Sequence, residues 1–364
     1  MKIGILGIKG VPGHHGVEVV VDSLLAPLAS LGHEVTVYGY SSYTKSTDDY
    51  KGARIRAIPG TSGKNTEMIS HMLRASLATW TERYDIVHIH SVDPCILAWL
   101  PRSRSGLVAT SHGQAYVRKK WGGLARTMSK VAERFFMRIP TAITSVSKPL
   151  AEYYHARYGR EVRYIPNGIT IREMPESSNL KKWDLDPRGF IFCSAGRIIR
   201  TKGLDTLLDA YRRVGTDLPL VIAGGGSGTD EAYFDSLKET KPEGVNFAGF
   251  LNGDELFALY AYARIFAFPS EYEAMSMALL EGLSFGVPTL YSNTPENEAV
   301  ANGLGYSFKV SDADSLAERL NYVLGHYDEA TELGEKAKGI VRARHNWETI
   351  ARQYSEIYMS LGGV

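Results

Sequence analysis

Phe190-Ile191-Phe192-Cys193-Ser194-Ala195-Gly196-Arg197-Ile198-Ile199-Arg200-Thr201-Lys202-Gly203-Leu204 decides the fold. The aromatic and β-branched run Phe190–Ser194 predicts a buried strand. A glycine turn with two cations follows, and a helix begins at about Leu204. Strand, loop and helix in that order are the repeating unit of a parallel sheet covered on both faces.

The same alternation runs outward in both directions. Upstream, strands are expected at Lys2–Gly7, Glu34–Tyr40, Arg54–Ile58, Ile86–His90, Leu107–Ser111, Ala142–Val146 and Val162–Ile165. Downstream they are expected at Leu220–Ala223, Val245–Ala248, Ile265–Phe268, Thr289–Tyr291 and Tyr306–Lys309. Helical patterns fall between, one from about Glu18 to Leu31, ended by Gly32. The last 40 residues are helical, with amphipathic spacing from Trp347 to Leu361. Between the two series, residues 170–188 are polar and hold Pro175 and Pro187, as a linker would. A chain of 364 residues also exceeds one typical core. The expected fold is therefore α/β, with two Rossmann-like domains, residues 1–170 and 171–346, facing across a cleft. Ligands in such sheets bind outside the carboxyl ends of the strands.

Hydrophobic content of 44% and charge of 22% suit a soluble globular protein. The chain enters a strand at once and has no apolar run of about 18 residues, so neither a signal peptide nor a spanning helix is expected. Cys95 and Cys193 lack metal-like or redox spacing, which predicts a cytoplasmic protein. The net charge of +1 hides an asymmetry: residues 1–170 hold 22 Lys+Arg against 12 Asp+Glu, and the remainder is acidic. The first half should be drawn to anionic partners.

Several loops carry candidate chemistry. Arg197 and Lys202 lie between a strand end and a helix start, where cations and backbone N–H groups suit a diphosphate; a solvated basic loop is the alternative. The run Ala223-Gly224-Gly225-Gly226 allows a close ligand approach or a plain turn. Gly7, Gly10, Gly13 and Gly16 form a glycine-rich loop after the first strand, but neither a dinucleotide fingerprint nor a P-loop lysine accompanies it. His112, just past a strand end, would bond a sugar hydroxyl or phosphate, or be structural. Glu273 and Glu281 stand eight residues apart in an expected helix, about 12 Å along it and on nearly one side. Such acceptors suit a long polyhydroxylated ligand; two ordinary exposed helix glutamates are the alternative. Residues 115–138 hold seven basic side chains, Arg118, Lys119 and Lys120 among them, with Trp121 and Phe135 interleaved. This stretch would face an anionic membrane or lipid-phosphate acceptor, or be a core-facing helix with a basic outer side. No nucleic-acid module accompanies it.

Gly196-Arg197 with Lys202-Gly203, Pro269-Ser270 with Glu273 and Glu281, and Tyr164-Ile165-Pro166-Asn167-Gly168 together resemble glycosyltransferase family 4, the group 1 glycosyltransferases, nearly end to end. The N-terminal glycine pattern is similar to a bacterial rhamnosyltransferase-like subgroup. The resemblance implies the GT-B fold and a retaining hexosyltransferase. The donor would be a nucleotide-sugar, a UDP-sugar favoured. The acceptor would be a saccharide or lipid-linked saccharide of envelope or exopolysaccharide synthesis. It implies that Arg197 and Lys202 hold the diphosphate, that Glu281 binds ribose and that Glu273 faces the sugar. Gly196, Gly225, Met275, Ser276 and Met277 would line the donor, His112 the cleft, and Gly13 and Gly16 the donor–acceptor loop. The final helix would return to the first domain. Ala274, Met275 and Ser276 stand where the family carries Gly-Phe-Gly, and Gly282 where it carries Ala. No cofactor or metal is expected, since the pairs Asp184/Asp186 and Asp312/Asp314 read as turns and caps. The chain would lie in the cytoplasm, peripheral on the inner face of the membrane. A nucleotide-sugar 2-epimerase of the same architecture and a non-catalytic sugar-nucleotide-binding partner are the rival readings.

Overall fold

A computed structural model describes residues 1–13, 16–61, 63, 66–114, 123–226 and 230–363. The chain divides into two compact units, Met1–Thr170 with His345–Val364, and Ile171–Arg344.

The first unit is built on β1 (Lys2–Leu6), β2 (Glu34–Tyr40), β3 (Thr47–Tyr50), β4 (Ala53–Ile58), β5 (Ile86–His90), β6 (Gly106–Ser111), β7 (Ala142–Ser145) and β8 (Arg163–Tyr164). Their order in the sheet is β3-β4-β2-β1-β5-β6-β7-β8. All pairings are parallel except β3 with β4. Strand β3 escaped the sequence reading because Thr47-Asp48-Asp49-Tyr50 is polar and largely exposed, as edge strands tend to be. One side of the sheet carries α2 (Glu67–Glu82), the short helical turn Asp93–Leu97, α3 (Gly123–Arg138) and α4 (Lys148–Tyr158). Met72, Ala75, Cys95, Phe136 and Tyr154 from these segments share one apolar core. Helix α1 (Val17–Ser30) packs against the C-terminal helix, Trp347–Gly362. That last helix is capped by Asn346, which accepts from Thr349 N, and buries Trp347, Ile350, Tyr354 and Tyr358.

The second unit contains β9 (Ile191–Arg197), α5 (Leu204–Val214), β10 (Leu220–Gly225), α6 (Glu231–Thr240), β11 (Val245–Gly249), α7 (Gly253–Tyr262) and β12 (Ile265–Phe268). It continues with α8 (Met277–Ser284), β13 (Thr289–Ser292), α9 (Pro295–Ala301), β14 (Tyr306–Phe308), α10 (Ala313–Gly325) and α11 (Tyr327–Arg344). The C-terminal helix of the chain is thus α12. The sheet order is β11-β10-β9-β12-β13-β14. Residues 171–188 are no free linker. Their turn Ser177–Trp183 buries Leu180 to 1% exposure and lies on α7, while the Tyr262 hydroxyl donates to Pro175 O. The apolar side chains inside a mostly polar stretch pull it onto the unit.

Each sheet reverses its strand order once, between β1 and β5 in the first unit and between β9 and β12 in the second. Loops leaving the two central strands then run to opposite faces and open a crevice. This places the end of β9, with Arg197, and the loops after β9 and β12, which carry Lys202 and Glu273, side by side.

Candidate functional site

The crevice of the second unit is locked together by backbone contact. Gly203 adopts φ +65°, and a Cβ there would lie 2.1 Å from Pro269 O. Only glycine lets the loop after β9 touch the loop after β12. Glu271 N donates to Thr201 O at 2.8 Å, which ties the same loops again. From the other side Ser292, at the end of β13, donates its hydroxyl to Ser270 O, and Asn297 Nδ2 donates to Ser292 O at 3.1 Å. Ser292 and Asn297 are buried. Sequence reading missed this support, since buried Ser and Asn carry no spacing signal.

On that platform Lys202 Nζ forms an ion pair with Glu273 Oε1, the two side chains 19% and 20% exposed. Ser270 Oγ lies 3.0 Å from the same carboxylate oxygen. Arg197, the last residue of β9, is exposed and has no ion-pair partner among the described residues. One cation is thus neutralised from within the protein and the other is uncompensated. Gly196 has φ +60° and open space around it. Gly225 pairs with Arg197 across β9 and β10, and a Cβ on it would meet the Phe250 ring at 2.7 Å.

The two glutamates do not share a helix face as their spacing predicts. Helix α8 starts at Met277, capped by Ser276, whose side chain accepts from Leu279 N. The segment before it is an irregular loop tied down by Thr201 and Ser292, so Glu273 sits in the loop and only Glu281 on the helix. Met275 is buried, and Met277 is partly exposed. Gly282 has a steric reason: a Cβ there would come within 2.2 Å of the Phe266 ring.

Burial pushes the Glu281 carboxyl up to about 7, although the Tyr260 hydroxyl beside it and the Arg172 guanidinium pull it part of the way back. A carboxyl raised by folding binds its proton more tightly in the native state than in the unfolded chain. Its contribution to stability is therefore full below about 4.5 and is lost as pH rises through about 7. Glu281→Gln should melt higher than the parent at pH 8, by about 2 kcal/mol of stability, and no higher at pH 4.5. If Glu281 accepts from ribose hydroxyls, as the resemblance implies, the same variant should also bind nucleoside diphosphate more weakly, because a carboxylate accepts from two hydroxyls and an amide oxygen serves less well. Thermal melts at both pH values check the first part and titration calorimetry the second. Equal melting at pH 8 would remove the desolvation argument.

In the first unit Gly16 is the N-cap of α1 with φ +57°, and a Cβ at Gly13 would lie 2.3 Å from Glu18 O. Gly13 is thus required by chain packing. His112 follows β6 and places Nε2 2.9 Å from His90 Nδ1, which leaves Nδ1 as its remaining polar atom. His90 stacks in turn on His88, 4.1 Å between ring centroids. His88 places Nδ1 2.7 Å from the Tyr358 hydroxyl and Nε2 2.7 Å from Thr110 Oγ1. Arg118, Lys119, Lys120 and Trp121 lie outside the described residues. From Gly123 on, α3 turns Ala132, Phe136 and Met137 inward and Arg126, Lys130, Arg134 and Arg138 outward. Glu133 is buried, 2.6 Å from the Tyr158 hydroxyl that donates to it.

Asp184 closes the turn Ser177–Trp183, Asp312 caps α10, and Asp314 pairs with Arg213. Among the described residues no group of three His, Cys, Asp or Glu is placed to hold a metal. No helix among them is long and apolar enough to cross a membrane.

Comparison with known proteins agrees with this architecture. Residues 176–340 match the family "Glycosyl transferases group 1" and residues 14–173 match "Glycosyltransferase Family 4". A GDP-mannose-dependent alpha-(1-6)-phosphatidylinositol monomannoside mannosyltransferase of Mycobacterium tuberculosis is 27% identical over 288 residues, 70% of this chain and 71% of that protein. The sucrose-phosphate synthase of Thermosynechococcus elongatus superposes with a TM-score of 0.82 at 19% identity, covering 100% of this chain and 99% of that one. Anabaena HepE, solved in complex with UDP and glucose, gives 0.79 at 18% identity, covering 99% and 100%. With two parallel-sheet Rossmann-like units and both halves matched, the chain belongs to the group 1 glycosyltransferases and has the GT-B fold.

Proposed function

We propose that the protein transfers a hexose from a nucleoside-diphosphate sugar to a hydroxyl of a saccharide or lipid-linked saccharide, with retained anomeric configuration and without a metal. On this reading the chain works in the cytoplasm, at the inner face of the membrane, in envelope or exopolysaccharide assembly. The observation that carries it is the pairing of an uncompensated Arg197 with a Lys202 already seated on a carboxylate, between the loops of the switch point. A leaving diphosphate gains charge as its bond to the sugar breaks, and fixed cations stabilise that charge best in the transition state. In this reading the diphosphate takes over Lys202, and Glu273, released from it, turns to the sugar hydroxyls. Glu281 accepts from the ribose hydroxyls.

Retention by double displacement needs two carboxyls about 5–5.5 Å apart, one of them free to attack. In the complex Glu273 keeps Ser270 and turns to the sugar hydroxyls, and the Glu281 carboxyl is buried beside Tyr260, so neither is free to attack, which favours attack from the same face. The acceptor proton then passes to the departing phosphate oxygen, and the protein supplies position and charge. A UDP-sugar is the favoured donor, in keeping with the UDP bound by HepE, and a lipid-linked acceptor is in keeping with the mycobacterial relative's name. The buried free thiols Cys95 and Cys193 are compatible with a reducing compartment.

The test is incubation with a panel of nucleotide-sugars and short saccharide acceptors, with and without chelator, read by proton NMR of the anomeric region. The expected product is a glycoside of unchanged configuration, formed at the same rate with chelator. A released monosaccharide isomer would instead identify an epimerase, and binding without turnover across the panel a sensor.

A further inference from the structure

The sheet face that carries α2, the turn Asp93–Leu97 and α3 exposes large apolar side chains that nothing in the described chain covers. On α2, Leu73, Leu77 and Trp80 recur at helical spacing and form one stripe, 43%, 46% and 46% exposed. Trp99, just past the neighbouring turn, is 60% exposed. Both α2 and α3 pack on that turn, so the stripe, Trp99 and the outer side of α3 belong to one surface.

The charges of this surface are sorted by sign. From Met68 to Thr81 the sequence of α2 contains no acid. Between residues 67 and 138 the acids are Glu67, Glu82, Asp85, Asp93 and Glu133. Glu67 accepts from Ser42 Oγ, Glu82 pairs with Lys2, Asp85 accepts from Lys2 N, Asp93 from Ser129 Oγ and Glu133 from Tyr158. The basic side chains Arg74, Arg102, Arg126, Lys130, Arg134 and Arg138 are exposed. Trp80 is prepared for burial. Its Nε1 already donates to Leu100 O at 3.0 Å, and the Arg102 guanidinium lies 3.9 Å from its ring. Covering the outer face of the indole would strand no donor.

We propose that this face is a docking surface for an anionic lipid bilayer, with Trp80 and Trp99 seated at the headgroup level and the exposed arginines and lysine on lipid phosphates. Apolar anchors flanked by cations, with every acid committed elsewhere, fit a surface that is negative outside and apolar beneath. A protein partner of equal fit would have to offer an apolar groove ringed entirely by acids. The proposal rests on the membrane-facing part of the function above, but its test uses no sugar transfer, so the two fail separately.

The whole protein is sedimented with vesicles of phosphatidylcholine alone and of phosphatidylcholine with one-third phosphatidylglycerol. Binding is expected only to the anionic vesicles, with tryptophan emission quenched when the lipid chains are brominated. Trp99→Ser combined with Leu77→Gln removes exposed side chains and leaves the core intact. It should lower the bound fraction at least about tenfold while UDP affinity stays unchanged. The single variant Trp80→Phe, which keeps the ring's apolar character, should bind nearly as the parent does. Absent binding by the parent, or equal binding by the double variant, overturns the proposal. So does a dimer in light scattering that the double variant dissociates, which would assign the face to a second copy of the chain.

Discussion

Acidification from pH 7 to 5 should unfold the first unit while the second stays folded. His88, His90 and His112 lie in a row within the first unit, ring against ring, and burial holds His88 and His112 down to about 3 and His90 well below the usual 6.5. In the unfolded chain the same imidazoles take up protons at about 6.5. A base whose proton affinity falls on folding contributes stability above the unfolded value and loses it as pH drops. Each group held below 5 then costs about 1.4 kcal/mol for every pH unit below 6.5, so His88 and His112 alone cost about 4 kcal/mol at pH 5, and His90 adds to this in the same direction. That is comparable with the whole stability of a domain. Hydrogen bonding adds a reason for the refusal. His90 and His112 share one hydrogen bond, which needs an acceptor nitrogen on one of them. If both rings were charged, two N–H donors would face each other. In the second unit Glu281 runs the other way and becomes more favourable as it gains its proton. Hydrogen exchange followed by mass spectrometry at pH 7, 6 and 5 would show β5 and β6 losing protection before β9 and β10. Simultaneous loss in both sheets, or no loss at pH 5, would refute the account. Replacing His88 and His90 by Gln should flatten the dependence.

Arg197→Ala should cut turnover at least about 100-fold, since one well-placed donor to a developing anion is worth about 3 kcal/mol. The side chain is exposed and has no ion-pair partner among the described residues, so the melting temperature should stay where it is. Lys202→Ala should lose as much turnover and also stability, because the partly buried Glu273 carboxylate loses its partner, at a cost of about 1–3 kcal/mol. Adding Glu273→Ala to Lys202→Ala should then restore stability without restoring turnover. The two losses are separable only if Lys202 has two occupants, Glu273 in the free protein and the diphosphate in the complex. Steady-state kinetics and melts on the three variants check this. Near-normal turnover in Arg197→Ala would end the diphosphate assignment, and a stable Lys202→Ala would show that the ion pair contributes little in solution.

Much of the fold could be read in advance because each central strand is a short β-branched run between turn residues. Phe190–Ser194, Ile86–His90 and Ile265–Phe268 each became a strand within a few residues. What escaped was decided by contact, not by pattern. The strand β3 is too polar to announce itself, and Leu180, with the bond from the Tyr262 hydroxyl to Pro175 O, gave a linker-like stretch its hold on α7. In the site, the motif residues were visible by type and order. Their geometry was not. Eight residues implied one helix face, but Thr201 and Ser292 draw the chain into a loop before α8 begins. The Glu281 carboxyl is raised by burial and held back by Tyr260 and Arg172, both far from it in sequence, and no local reading reaches that balance.

The fit of Gly282 against Phe266 has an evolutionary consequence. A helix gains about 0.5–1 kcal/mol when glycine is replaced by alanine, so selection for stability alone would favour the exchange. Here the methyl group would enter the Phe266 ring, in the second unit's central strand β12. Alanine at 282 is accessible only to a lineage that first accepts a smaller residue at 266, and that intermediate carries a cavity. The two positions are therefore bound to change together or not at all. The departure from the alanine that the resemblance implies is thus answered by the Phe266 ring in the core beneath α8.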